Sequence, residues 1–194
     1  MQRMSRRLPP IFALLALVLA ALAVAGCGRS GGSGTTGTHP DYARALNGAP
    51  APLAALYEKG NELLPGDDFE AQLQALKGYP VVINAWASWC GPCQFEFPTL
   101  QKLSARYGKQ VAFIGLNAED EEASAKTFLR EEPVPYPSFV DTHRKIARSL
   151  EAYEGLPDTI ILDPKGEVAY VHLGAYRDDS ELEEDVQRYA LKSG

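Results

Sequence analysis

Cysteine is scarce: the 194-residue chain has three. That is too few for a small fold stapled by disulfides. There are three histidines, His39, His143 and His172. Neither they nor Cys27 fall into a paired motif, so no second half of a tetrahedral zinc site is spelled out. Basic residues form no stripe, and the formal net charge is −6. Both features exclude nucleic acid as a partner. The apolar run from Ile11 to Ala25 spans 15 residues, short of the about 20 needed to cross a bilayer as a helix. With 45% apolar and 23% charged residues, the chain suits one globular domain with extensions.

That short run is flanked in an informative way. Arg3, Arg6 and Arg7 precede it and Val24-Ala25-Gly26-Cys27 follows it. A basic start, a short apolar stretch and small residues make an export signal. The cysteine directly after them resembles the bacterial lipoprotein box, which implies a signal peptide at 1–26 and a lipid on Cys27 as the first mature residue. The alternative is an ordinary cysteine at the end of an uncleaved signal anchor. Either reading puts the remainder at the extracytoplasmic face of a membrane, in the cell envelope. Without residues 1–26, 16 basic residues face 25 acidic ones. An anionic bilayer would not hold such a chain by charge, so a hydrophobic anchor is needed, which the lipoprotein resemblance places on Cys27. Residues 27–40 are rich in Gly, Ser and Thr and read as a flexible tether with a reach on the order of 20 Å. Residues 41–64 hold two short helical stretches, read as an extension along the domain edge.

The centre of the sequence is residues 81–98. Val81 to Trp86 reads as a buried strand. A short turn follows, and Cys90-Gly91-Pro92-Cys93 stands where a helix should begin. Unpaired N–H groups and the helix dipole there favour a thiolate. Cys90 is the candidate nucleophile, and Cys93, one turn in, the resolving thiol. Pro92 costs little in a first turn, where its missing N–H has no partner to lose. Half of a zinc site is the competing reading of such a pair, and it lacks its other half.

Phe97, Leu100, Leu103 and Tyr107 recur at helical spacing up to Gly108. A second strand is expected over 111–117 and a helix over 119–129, with Ala123, Phe128 and Leu129 inward. Residues 133–137 carry three prolines and read as an extended connection. A short helix over 143–150 follows, then strands over 159–162 and 167–173 joined by the turn Asp163-Pro164-Lys165-Gly166. An amphipathic helix over 178–191 closes the chain. This order predicts an α/β fold, a mixed central sheet with helices on both faces, in an arrangement that over 65–193 resembles the thioredoxin-like fold.

Trp89-Cys90-Gly91-Pro92-Cys93 resembles the thioredoxin active site. Asn84 to Trp89 together with Glu96-Phe97-Pro98 resembles the TlpA/ResA branch of membrane-anchored thiol–disulfide oxidoreductases. That resemblance implies a functional glutamate at Glu96, able to take the proton of Cys93. Thioredoxin has a buried aspartate where this chain has Asn84, which leaves Glu96 as the candidate acid. It also implies a cis peptide bond before Pro157 in Gly155-Leu156-Pro157-Asp158, facing the disulfide. The Leu156 N–H and C=O would then pair with an extended client segment. Trp89, Gly91 and Pro92 would complete the client-binding surface, with Trp86 in the core. No cofactor or metal is called for. The implied activity is reduction of disulfide-containing protein clients, for example apocytochrome c, with electrons from a membrane thiol reductant of the CcdA/DsbD type. The alternatives are a disulfide oxidant or isomerase, and a non-enzymatic lipoprotein that binds metal or peptides.

Overall fold

The computed structural model describes residues 39–192. The expected signal peptide, Cys27 and nearly all of the tether lie outside the described residues.

Six strands form one mixed sheet in the order β1-β4-β3-β2-β5-β6. They are β1 (Leu63–Leu64), β2 (Val81–Trp86), β3 (Ala112–Ala118), β4 (Ser138–Asp141), β5 (Asp158–Leu162) and β6 (Val168–Leu173). The first four run parallel, and β5 and β6 are antiparallel to their neighbours. Helices α1 (Tyr42–Ala45), α2 (Ala51–Tyr57) and α3 (Phe69–Ala75) precede the central strand. Helices α4 (Gly91–Tyr107), α5 (Glu122–Glu131), α6 (Lys145–Ser149) and α7 (Asp179–Asp185) follow it, and α7 continues into a π-helical turn, Val186–Leu191.

The apolar run of β2 reflects burial on both faces of the sheet. Val82 and Trp86 join a core with Phe97, Leu100 and Leu103 of α4 and Phe128 and Leu129 of α5. Val81, Ile83 and Ala85 join a second core with Phe69, Ile114, Leu116 and Phe139. Trp86, Phe97 and Phe128 meet edge-on or tilted, with ring centroids 4.6 to 5.3 Å apart. This aromatic cluster seats the N-terminal half of α4 on the sheet. Trp86 Nε1 donates to Ser138 Oγ at 3.1 Å. The bond needs Gly115 between them, since a Cβ there would stand 2.1 Å from Ser138 Oγ.

The thioredoxin-like fold is as expected, and several details differ from the sequence reading. β4 was not anticipated: it has four residues and begins straight after Pro137. Its Asp141 carboxylate accepts the N–H groups of Ile146 and Ala147, at 3.1 and 2.9 Å, and so starts α6. β1 lies ahead of residue 65 and pairs with β4. Leu53 and Leu56 are wholly buried in the second core, so this segment contributes more than an edge. α5 begins at Glu122, after Glu119 takes a left-handed φ of 52°. Its inward alanine is Ala125, while Ala123 is exposed.

Candidate active site

Cys90 and Cys93 are joined as a disulfide with Cα atoms 5.2 Å apart. Cys90 is the N-cap of α4, and its Sγ accepts the Cys93 N–H at 3.2 Å. A sulfur in that place faces the positive end of the 17-residue helix, which lowers the cost of a thiolate once the bond is open. Cys90 is 4% exposed and Cys93 is fully buried. Of the two residues, Cys90 is the one that keeps some exposed surface. Trp89, next to Cys90 in the chain, and Phe95, early on α4, are 62% and 67% exposed, and Gly91 and Pro92 are exposed as well.

The turn leading into Cys90 is fastened from the end of β3. The Asp120 carboxylate accepts the N–H and the hydroxyl of Ser88, the Nδ2 of Asn117 and the N–H of Glu121. Trp89 Nε1 donates to the carbonyl of Glu119 at 2.8 Å, and Gln94 Nε2 reaches back to the Ser88 carbonyl at 2.6 Å. None of this was read from the sequence. Its one visible sign was the polar Glu119-Asp120-Glu121 run at the end of an apolar strand.

Glu96 follows Cys93 by three residues and lies on the same face of α4. It is 1% exposed. Its Oε1 accepts Asn84 Nδ2 at 2.6 Å and its Oε2 accepts the Tyr176 N–H at 3.2 Å. Loss of hydration raises its pKa to about 7, against the pull of those two donors and with a further push from Asp158. A carboxyl poised near neutrality can both take and return a proton.

The bond between Leu156 and Pro157 is cis. In the antiparallel β2–β5 pair Ala85 lies opposite Asp158. Pro157 therefore sits at the end of the sheet where β2 hands the chain to Cys90. Its carbonyl accepts the Gly174 N–H at 2.9 Å. Among the described residues, no hydrogen bond engages the N–H or C=O of Leu156. Tyr153, 67% exposed, lies on the loop leading to it.

The structure thus gathers Trp89, Cys90, Gly91, Pro92, Cys93 and Glu96 on one helix start, and places Leu156 and Pro157 at the same end of the sheet. Asn84, Asp120, Tyr176 and Thr159 complete the surroundings. His172 stacks on the Tyr176 ring at 3.8 Å, with Nδ1 3.9 Å from Asp185. Among the described residues, no group of three or more His, Cys, Asp or Glu converges as a metal site, and no helix is long and apolar enough to cross a membrane.

The raised Glu96 pKa has a measurable consequence for stability. In the unfolded chain a glutamate ionises near the ordinary 4.5, and in the fold near 7. Between these values the folded state holds a proton that the unfolded state has lost. The stabilisation is therefore complete below about pH 4.5 and lost as pH rises through about 7, a change of about 3 kcal/mol from this group. Urea unfolding of the oxidised protein across that range should show stability falling with pH, and Glu96→Gln should remove this component. An unchanged slope in the variant would assign the pH dependence to other groups.

Residues 46–186 match the Redoxin family. The chain is 34% identical over 131 residues to the thiol:disulfide interchange protein DsbE of Escherichia coli K12, covering 67% of this chain and 66% of that protein. It is 33% identical over 116 residues to the thiol-disulfide oxidoreductase ResA of Halalkalibacterium halodurans, covering 58% of this chain and 63% of that one. The chain thus spans less than two thirds of the length of these curated relatives. Among solved structures, a DsbF homologue from Corynebacterium diphtheriae superposes with a TM-score of 0.55 at 30% identity, covering 59% of this chain and 74% of its own.

Proposed function

The chain belongs to the Redoxin family, and from that premise we propose that it is an exported, lipid-anchored thiol–disulfide oxidoreductase that reduces protein disulfides. One observation carries the reading: a Cys90–Cys93 disulfide at the start of a long helix, with a buried carboxyl one turn further on.

In the reduced form the Cys90 thiolate attacks one sulfur of a client disulfide. The client S–S bond breaks, its other sulfur leaves as a thiolate, and a Cys90–client disulfide forms. Cys93 then gives its proton to Glu96 and attacks Cys90 Sγ. The mixed disulfide breaks, the second client sulfur leaves, and Glu96 returns the proton through solvent. Two electrons have passed to the client, and Cys90 and Cys93 are left joined. The free N–H and C=O of Leu156 hold the client backbone as an added strand, against Trp89, Gly91, Pro92 and Pro157. A membrane thiol reductant of the CcdA/DsbD type restores the dithiol. Gly-Pro between the cysteines supports a reducing role through its likeness to reducing members of the superfamily. Apocytochrome c is a client consistent with that role. The basic start, apolar stretch and Cys27 support export and acylation.

The reduction potential of the pair tests the direction of electron flow. Equilibration with dithiothreitol or glutathione buffers should give a value near or below about −270 mV. A value well towards the oxidising end, about −120 mV, would make the protein an oxidant or isomerase, since about 30 mV is a tenfold change for this two-electron couple.

A further inference from the structure

Asn84 takes no part in the steps above, yet its placement is unusual. It lies on β2, between two apolar neighbours, and is 2% exposed. Its Nδ2 is 2.6 Å from Glu96 Oε1 and 3.4 Å from Thr159 Oγ1. Its Oδ1 is buried and has no hydrogen-bond partner among the described residues. An unpaired buried amide oxygen costs about 1–3 kcal/mol.

The surroundings of Glu96 give the unpaired oxygen a use. Both carboxyl oxygens are met by donors, the Asn84 Nδ2–H and the Tyr176 N–H. That arrangement suits the carboxylate. Once protonated, the group becomes a donor and its O–H needs an acceptor in a dry site. A half-turn of the Asn84 amide exchanges nitrogen for oxygen and supplies one. The Thr159 hydroxyl can accept from Nδ2 or donate to Oδ1, so it follows either orientation. An aspartate at position 84 would bring a second acid, and an apolar residue would serve neither state.

We propose that Asn84 is a positioning residue whose side-chain amide reverses with the protonation of Glu96, donating Nδ2–H to the carboxylate and accepting the acid's O–H on Oδ1. The proposal rests on the reading of Glu96 as acceptor of the Cys93 proton. The other ionisable groups around that carboxyl are Asp158 on β5, Tyr136 ahead of β4, and Tyr176 with Asp185 and His172 beyond it. Among the described residues, none of them is hydrogen-bonded to the Asn84 amide.

The test follows the full-length reduced protein through a pH titration by NMR, observing the Glu96 carboxyl carbon and the Asn84 side-chain amide together. The Asn84 amide signals should move with the Glu96 midpoint. Amide signals that stay fixed while Glu96 titrates would overturn the proposal, and this arm needs no variant to fold. A second arm uses the pH dependence of resolution of a Cys90 mixed disulfide. Asn84→Ala removes the partner of both protonation states, so the midpoint should shift by well under the about tenfold in proton affinity that loss of a donor to the carboxylate alone would give. In a Glu96→Gln background the same change should do nothing further to the profile. A midpoint that rises about tenfold in Asn84→Ala would mean that the amide serves the carboxylate alone, and an equal effect in both backgrounds would place its action away from Glu96; either would sink the proposal. Glu96→Gln with a wild-type profile is a separate result, which would defeat the underlying reading of Glu96.

Discussion

Replacing Cys90 with serine abolishes turnover: reduction of a small disulfide protein such as insulin should fall to the rate of the reductant alone. The loss should be on the order of 10³-fold or more, as expected when a covalent nucleophile is removed. The proposed mechanism gives the two sulfurs different tasks. Cys90 is the N-cap residue and keeps some exposed surface, while Cys93 is fully buried in the core. A serine hydroxyl at the N-cap can still accept the Cys93 N–H, so the fold should survive the change. Cys93→Ala should behave differently. Attack on a client disulfide proceeds, resolution does not, and a Cys90–client disulfide accumulates that non-reducing mass spectrometry detects. Adducts carried instead by Cys93 in a Cys90→Ser protein, at comparable yield, would reverse the assignment.

Breaking the ion pair beneath the Pro157 loop should cost about 3–5 kcal/mol of stability. Arg144 Nη2 and Asp158 Oδ2 are 2.6 Å apart, and both side chains are almost completely buried. Burial pushes the Asp158 carboxyl above its ordinary pKa, and the Arg144 charge pulls it back. Removing the arginine leaves an unpaired acid in a dry site. Arg144→Met keeps the length of the side chain and, since Arg144 has a left-handed φ of 54°, leaves the backbone cost as it was. The measured difference then reports the charge. Converting both partners, Arg144→Met with Asp158→Leu, should recover most of the loss, because among the described residues Arg144 Nε and Asp158 Oδ1 find no partners even in the intact pair. Denaturant unfolding of Arg144→Met, Asp158→Leu and the double variant checks this. Single variants within about 1 kcal/mol of the parent would mean that water solvates the pair as it does on a surface.

The centre of the fold was legible because one local rule governs it. A strand buried on both faces reads as an unbroken apolar run, and Phe97, Leu100 and Leu103 at helical spacing declare the face that covers it. Cys90, Cys93 and Glu96 follow one another at three-residue spacing over the first two turns of that helix, so their spacing alone brings them together. β4 escaped because it is short, follows a proline-rich connection, and spends Ser138 and Asp141 on polar partners rather than on an apolar pattern. Leu53 and Leu56 showed helical spacing, but spacing does not say what a helix packs against. The polar groups around the site were the least visible. Asp120 reaches back 32 positions to Ser88, Arg144 forward 14 to Asp158, and Glu96 meets the Tyr176 N–H across 80. No window of sequence contains such a pair, so only the fold reveals them.

The pairing of β2 with β5 also sets the timing of assembly. Asn84 and Thr159 lie side by side but are 75 positions apart. A chain emerging N-terminus first presents Cys90 and Cys93 long before the strand that completes their surroundings. Closing so long a loop is slow compared with forming α4. The two thiols therefore spend the interval without the shelter of β5, open to whatever oxidants the compartment holds. The disulfide can form while the domain is still a partial sheet, and the dithiol state would then be something the finished fold acquires only afterwards.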